Sequence, residues 1–198
     1  MKKSLEQRIA EAIREEISIA PYNPGWPLSF EEEAEFLRLK LPSSLINRIE
    51  HFGSTAVPGL AAKPIIDILV EVTCLDETRE HIVPLLESEG YDYFWRTDTE
   101  PPYAWFIKRD SEGRRTHHIH MVGANSKLWE RLYFRDYLRA FPVEAKRYEE
   151  LKQFLSEKYP NDRISYTKGK AEFIESVTEG AKLYYGAQPN NSFNRSAR

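Results

Sequence analysis

Asp67 stands inside an almost unbroken apolar run, Ile65-Ile66-Asp67-Ile68-Leu69-Val70-Glu71-Val72. An ionised carboxylate in such surroundings is unfavourable unless a cation, a metal or several donors meet it. It is read either as an acid satisfied by loop amides or Lys63, or as a metal or substrate ligand at a sheet end. Further along, Arg114 to Val122 carries His117, His118 and His120, three of the chain's five histidines. Side chains alternate on a strand, so His118 and His120 share a face, as do Asp67, Leu69 and Glu71. Two imidazoles so placed can hold one divalent ion, with a carboxylate from a neighbouring strand as third ligand. Donation to phosphate or to a buried carboxylate is their other use.

A second group precedes the apolar run. In His51-Phe52-Gly53-Ser54-Thr55 a Gly-Ser pair follows a strand, where backbone N–H groups can approach an anion and the hydroxyl adds a donor. Most such pairs are plain turns. The restrained loop Ala56-Val57-Pro58-Gly59-Leu60-Ala61-Ala62-Lys63-Pro64 then supplies one cation, Lys63. Gly53, Ser54, Thr55 and Lys63 are therefore candidates for binding a nucleotide or another phosphate-containing small molecule. Arg135, beside Asp136, is a further candidate for orienting a substrate, with an ion pair as the plainer use. Arg114 and Arg115 face phosphates or solvent, and Lys168 and Lys170 read as a solvated loop.

These residues need elements to hold them. Leu5, Ile9, Ile13 and Ile17 recur at helical spacing, which predicts an amphipathic helix over 4–17. Its apolar stripe packs on the same domain or on a second subunit, a homodimer. Three prolines between Pro21 and Pro27 exclude regular structure there. Ser29 with Glu32 makes a capping-box pattern for a helix to about Leu41. A short helical piece, Ser43 to Asn47, leads to a strand from Arg48 to Phe52. The run from Ile65 predicts a central strand buried on both faces. Asp76 caps a helix to Glu89, closed by Gly90 and kinked by Pro84. Tyr91 to Trp95 is a strand; Tyr103 to Arg109 and Arg114 to Val122 form a hairpin around Asp110-Ser111-Glu112-Gly113. Helices follow through Leu128–Leu138, from Pro142 to Tyr159, and over Lys170–Tyr184. The boundaries are thus an N-terminal helix (1–16), one α/β domain (17–186) and a disordered polar tail (187–198).

The chain has 198 residues, a formal charge of -3 and a single cysteine. That balance argues against a general nucleic-acid binder, and one cysteine excludes an intrachain disulfide framework. No run approaches the roughly 18 apolar residues of a membrane span, and the N-terminus lacks a signal-peptide pattern. A cytoplasmic protein without membrane contact is expected.

His51-Phe52-Gly53-Ser54-Thr55-Ala56-Val57-Pro58-Gly59-Leu60, with Ala62-Lys63-Pro64-Ile65-Ile66-Asp67-Ile68, resembles the signature of the GrpB family. Tyr22-Asn23-Pro24-Gly25-Trp26, His117-His118-Ile119-His120 and Phe134-Arg135-Asp136-Tyr137-Leu138 resemble its other motifs, so the likeness runs from about Ile17 to Tyr185. GrpB proteins are similar to the nucleotidyltransferase superfamily. The resemblance implies a mixed sheet flanked by helices and extended by helices at both ends. It also implies a Gly-Ser turn that binds nucleotide phosphates, and strand carboxylates that hold divalent ions for nucleotidyl transfer. Gly53, Ser54 and Asp67 match that pattern, with twelve residues between Ser54 and Asp67. Ile65 and Leu69 stand where a second strand acid would be, and His118 and His120 where a third would fall.

The expected function is a divergent nucleotidyltransferase. Its catalytic residues are Asp67 and His120, and one divalent metal (magnesium or manganese, or else zinc) is held by Asp67, His118 and His120. The alternatives are a catalytically silent domain that binds a nucleotide or coenzyme A precursor, since some relatives are fused to dephospho-coenzyme A kinase, and a metal-dependent hydrolase.

Overall fold

The structure, a computed structural model, describes residue 7 and residues 15–97 and 99–186. A five-stranded mixed sheet forms its centre, in the order β1-β2-β5-β4-β3, with β1 Ile46–Phe52, β2 Ile66–Val72, β3 Asp92–Arg96, β4 Tyr103–Arg109 and β5 Arg115–Val122. Only β2 and β5 run parallel; the other neighbours are antiparallel. This is the helix-flanked mixed sheet that the sequence resemblance implies.

β2 lies inside the sheet between β1 and β5, with Ile68, Leu69 and Val70 fully buried and only Asp67 and Glu71 partly accessible. One side of the sheet is dry. Ile66, Ile68, Val70, Ala104, Phe106, Ile119 and Met121 pack there beneath α1 (Trp26–Lys40) and the helical segment that follows β2. Glu33 of α1 is buried against this layer, where it accepts a hydrogen bond from the Tyr91 hydroxyl and pairs with Lys108 of β4. The other side carries Asp67, His118 and His120, and helices α3 (Arg131–Ala140), α4 (Pro142–Lys158), α5 (Arg163–Gly169) and α6 (Ala171–Gly186) gather beyond it.

Several elements depart from expectation. The first helix starts at Trp26, three residues before the Ser29 capping box: Pro27 sits in the first turn, where its missing N–H is no loss, and Asn23 Oδ1 accepts from Gly25 N–H at 2.8 Å. The helical piece at Ser43 is a single 3-10 turn ending at Leu45, so β1 begins at Ile46. The helix after β2 is irregular as expected at Pro84. It opens at Leu75–Glu77, widens into a π turn over Thr78–Ile82 and regains α geometry at Val83–Ser88 (together α2). Pro84 lacks an N–H and crowds the carbonyl four residues back, which a wider turn accommodates.

Residues 163–169 form a helix, α5, where a solvated loop is expected, capped by Asp162 accepting from Ile164 and Ser165 N–H. The expected helix over 4–17 lies mostly outside the described residues. Its last member, Ile17, is extended and buried against Leu155 and Tyr166. The polar tail lies outside the described residues too. No helix among the described residues is long and apolar enough to cross a membrane.

Candidate functional site

Register brings the predicted cluster together. In the parallel pair, Asp67 stands opposite His118 and Leu69 opposite His120, while Phe52 of β1 stands opposite Asp67. One ligand atom each from Asp67, His118 and His120 lies within 4.8 Å of the others. His117 points to the opposite face, near Lys108 and Glu33, as strand alternation requires. Glu71, two pleats beyond Asp67, is outside the cluster and bonded to Asn47 (3.2 Å) and Arg48 (3.4 Å).

Gly53 makes the approach to Asp67 possible. Its φ is +74°, and a Cβ built there would lie 2.3 Å from Asp67 Oδ2. A side chain is thus excluded by backbone conformation and by the carboxylate beneath it. The 3-10 turn Ser54–Ala56 follows. Ser54 bonds to the phenol of the buried Tyr148 on α4, and burial raises that phenol's pKa. Thr55 is buried; its hydroxyl donates to the Ile65 carbonyl at 3.3 Å, so it accepts from His51 Nε2 at 3.0 Å. The rest of the loop is fastened to the helices. Ala61 N–H donates to Glu149 at 2.8 Å, Lys152 donates to the Ala61 carbonyl, and Arg139 donates to the Ala56 carbonyl at 2.8 Å.

The partners of His118 fix its tautomer. Arg115 donates to His118 Nε2 at 3.3 Å, and a guanidinium only donates, so Nδ1 carries the ring proton and donates to Asp67 Oδ1 at 3.1 Å. Burial lowers His118 to about 4; Asp67 opposes this, and Arg115 and Lys63 add to it. Burial likewise brings His120 to about 3 and His51 to about 4, against the pull of Asp67. For Asp67 itself, burial acts to raise the pKa, but the hydrogen bond from His118, the neighbouring imidazoles and Lys63 outweigh it and hold the carboxyl low. Asp67 is an ionised carboxylate beside neutral rings, and 29% of its side chain remains accessible. His120 Nδ1 lies 3.3 Å from the Tyr103 hydroxyl.

A cationic wall faces this acid. The Lys63 ammonium lies 5.1 Å from the centre of the Tyr166 ring and that of Lys170 4.4 Å. Burial, with repulsion from Lys170 and Arg163, pulls Lys63 down to about 7. Burial brings Lys170 to about 8 despite the attraction of Asp67. Lys170, Tyr148 and Tyr166 were not predicted here: Lys170 falls at the α5–α6 junction rather than in a solvated loop. The spacing of Tyr166 and Lys170, like that of Tyr148 and Lys152, is one helical turn, and a lysine within an apolar stripe was the signal that could have found them. Arg135 is engaged by the protein itself, next to His51. It grips Asp136 at 2.7 and 3.1 Å, Glu50 at 3.0 Å and the His51 carbonyl at 2.8 Å, tying α3 to β1. Arg114 pairs with Asp110 at the exposed hairpin turn.

The donor set fits a single divalent ion. Asp67 and His120 can ligate without dismantling the site, whereas His118 would first give up a hydrogen bond at one of its two nitrogens.

Residues 16–180 match the family described as "GrpB protein". A protein of Pseudomonas aeruginosa from the group named UPF0157 is 40% identical over 173 residues, covering 86% of this chain and 70% of that one. The crystal structure of the conserved protein GrpB from Enterococcus faecalis superposes with a TM-score of 0.75 at 34% identity, covering 85% of this chain and 99% of that one. A dephospho-CoA kinase of Mycolicibacterium paratuberculosis is 38% identical over 82 residues, 39% of this chain and 19% of its own length.

Proposed function

The chain belongs to the GrpB family, and on that premise we propose that the Gly53–Asp67 cleft binds a nucleotide or another phosphate-bearing small molecule and transfers a nucleotidyl group with one divalent ion. The observation that carries this reading is the accessible, ionised Asp67, grouped with His118 and His120 and faced by Lys63 and Lys170. Asp67 and His120 would hold the ion, with His118 as third ligand or as the ring that orients Asp67. The ion would supply Lewis acidity at a phosphoryl oxygen. Lys63 and Lys170 would take the negative charge of the phosphates; an anion between them favours their protonated forms. Arg135 and Thr55 position the loop and α3 in this scheme, because their polar atoms are already engaged.

A second reading has its own support. Both nitrogens of His118 are bonded within the protein, and Asp67 stands without a second strand acid, which favours a domain that binds a phosphate compound without turning it over. The partial match to a dephospho-CoA kinase adds a coenzyme A precursor as a ligand to try.

The test is calorimetric titration of manganese, zinc and nucleoside triphosphates into the wild type, Asp67→Asn and His120→Ala. The transfer reading expects metal binding weakened at least tenfold in both variants, and pyrophosphate release in the presence of a suitable acceptor. Nucleotide binding that needs no metal and survives Asp67→Asn favours the binding domain. Hydrolysis without pyrophosphate release marks a metal-dependent hydrolase. A cleft that takes up no nucleotide at saturating concentration overturns the transfer reading.

A further inference from the structure

Glu15 is the meeting point of three arginines drawn from distant parts of the chain. Its Oε1 lies 2.8 Å from Arg109 Nη2 of β4, and its Oε2 lies 2.5 Å from Arg115 Nε of β5 and 3.4 Å from Arg163 Nη2 of α5. Arg163 also donates to the Glu15 and Glu16 carbonyls at 3.1 and 3.2 Å. Arg109 is shared with Asp92 at 2.9 Å. Three guanidiniums thus meet at Glu15 and Asp92, while Glu16, Glu87 and Glu112 line the same cleft beside Lys63 and Arg114. Burial and repulsion from Arg115 bring Arg163 down to about 10, although Glu15 pulls the other way. The cluster edges a cleft of about 910 Å³ that is also lined by Lys63. That volume falls within the range of small-molecule sites.

Three guanidiniums converge on one carboxylate, each through a single nitrogen, and together they supply the charge and planar donors with which arginine recognises phosphate. We propose that Arg109, Arg115 and Arg163 form a pyrophosphate-recognising anion site in which Glu15 is an internal stand-in, displaced when a pyrophosphate-bearing molecule enters the cleft. The exchange is favourable because pyrophosphate brings more negative charge and more acceptor oxygens to the three guanidiniums than one carboxylate does. Arg115 also donates to His118, which donates to Asp67, so occupancy of the arginines is coupled to the orientation of the acid on the sheet. The arginine site does not depend on the nucleotidyl-transfer reading and stands if no metal binds at Asp67.

The experiment is calorimetric titration of inorganic pyrophosphate into the full chain with metals chelated. Glu15→Gln is expected to bind at least tenfold more tightly than the wild type, and Glu15→Gln with Arg163→Gln to lose that gain. The melting temperature of Glu15→Gln is expected to fall in buffer and to recover with pyrophosphate. Unchanged affinity in Glu15→Gln, or a fallen melting temperature that pyrophosphate does not restore, overturns the proposal and leaves Glu15 a structural clamp. Should Glu15→Gln fail to fold, Glu15→Asp keeps the charge but shortens its reach; a several-fold gain is expected, and none overturns the proposal. In Asp67→Asn the effect of Glu15→Gln is expected to persist. Its disappearance there would place the anion in the Asp67 cleft and overturn the second site. Comparing a nucleoside triphosphate with pyrophosphate in Glu15→Gln identifies the source: tighter nucleotide binding indicates a nucleotide tail, and equal binding indicates free pyrophosphate.

Discussion

At the scale of single residues, Gly53 and Asp67 are one device. The glycine occupies a left-handed conformation over the carboxylate, and any side chain would collide with Asp67 Oδ2. Gly53→Ala carries both a conformational penalty and a clash, together about 2–4 kcal/mol. The expected outcome in urea denaturation is a lower midpoint with an unchanged slope, accompanied by loss of metal binding in the folded protein. A midpoint equal to that of the wild type would show that the loop can lift away from Asp67 freely. The tautomer of His118 belongs to the same scale: because Arg115 can only donate, the direction of the proton in the His118–Asp67 bond is set by a residue three positions away.

At the scale of elements, the site depends on how helices are fastened to the sheet. Arg135 ties α3 to β1 through Glu50, Asp136 and the His51 carbonyl. Arg135→Gln should lower stability by about 1–3 kcal/mol, the range for charged hydrogen bonds lost from partly buried partners. Metal and nucleotide affinities of the folded protein should stay as in the wild type. If instead nucleotide affinity fell while the denaturation midpoint held, Arg135 would contact the ligand. The Ala61 loop is clamped in the same manner by Glu149 and Lys152 of α4. β1 and the Ala61 loop, which both precede Asp67 in sequence, are therefore held by helices much later in the chain.

At the scale of the whole molecule, the buried rings make stability depend on pH. His51, His118 and His120 sit near 4, 4 and 3 in the folded protein, below their ordinary 6.5. Between about pH 6.5 and 4 the unfolded chain therefore binds protons that the folded one refuses, and stability falls as pH falls, by at most about 1.4 kcal/mol per pH unit for each ring. The carboxyls of Glu15 and Asp67, held low, extend the loss below that window. His51→Asn should remove one ring's share of the slope, read as the difference in unfolding free energy between pH 7 and pH 5. An unchanged difference would mean that His51 takes up its proton without unfolding. Lys63 and Lys170 act with the same sign at higher pH. Held near 7 and 8, they remain neutral where the unfolded chain is protonated, so stability rises on going from neutral towards alkaline solution.

The sequence by itself determined an interior strand of the sheet and much of its face. The apolar residues around Asp67 have little to give to water, so the run had to be a largely buried strand, and alternation alone put His118 and His120 on one side and His117 on the other. Local chemistry also located the Gly53 turn, the Asp110–Gly113 hairpin and the irregularity at Pro84. Tertiary structure decided what no local pattern encodes. The parallel register set Asp67 opposite His118. The packing of α4, α5 and α6 brought Tyr148, Tyr166 and Lys170 up to the acid, and the meeting of Glu15 with three arginines joined residues as much as 148 positions apart. Such groupings arise from burial and charge across long chain separations, where the partner that satisfies a buried charge is chosen by packing and not by spacing in the sequence.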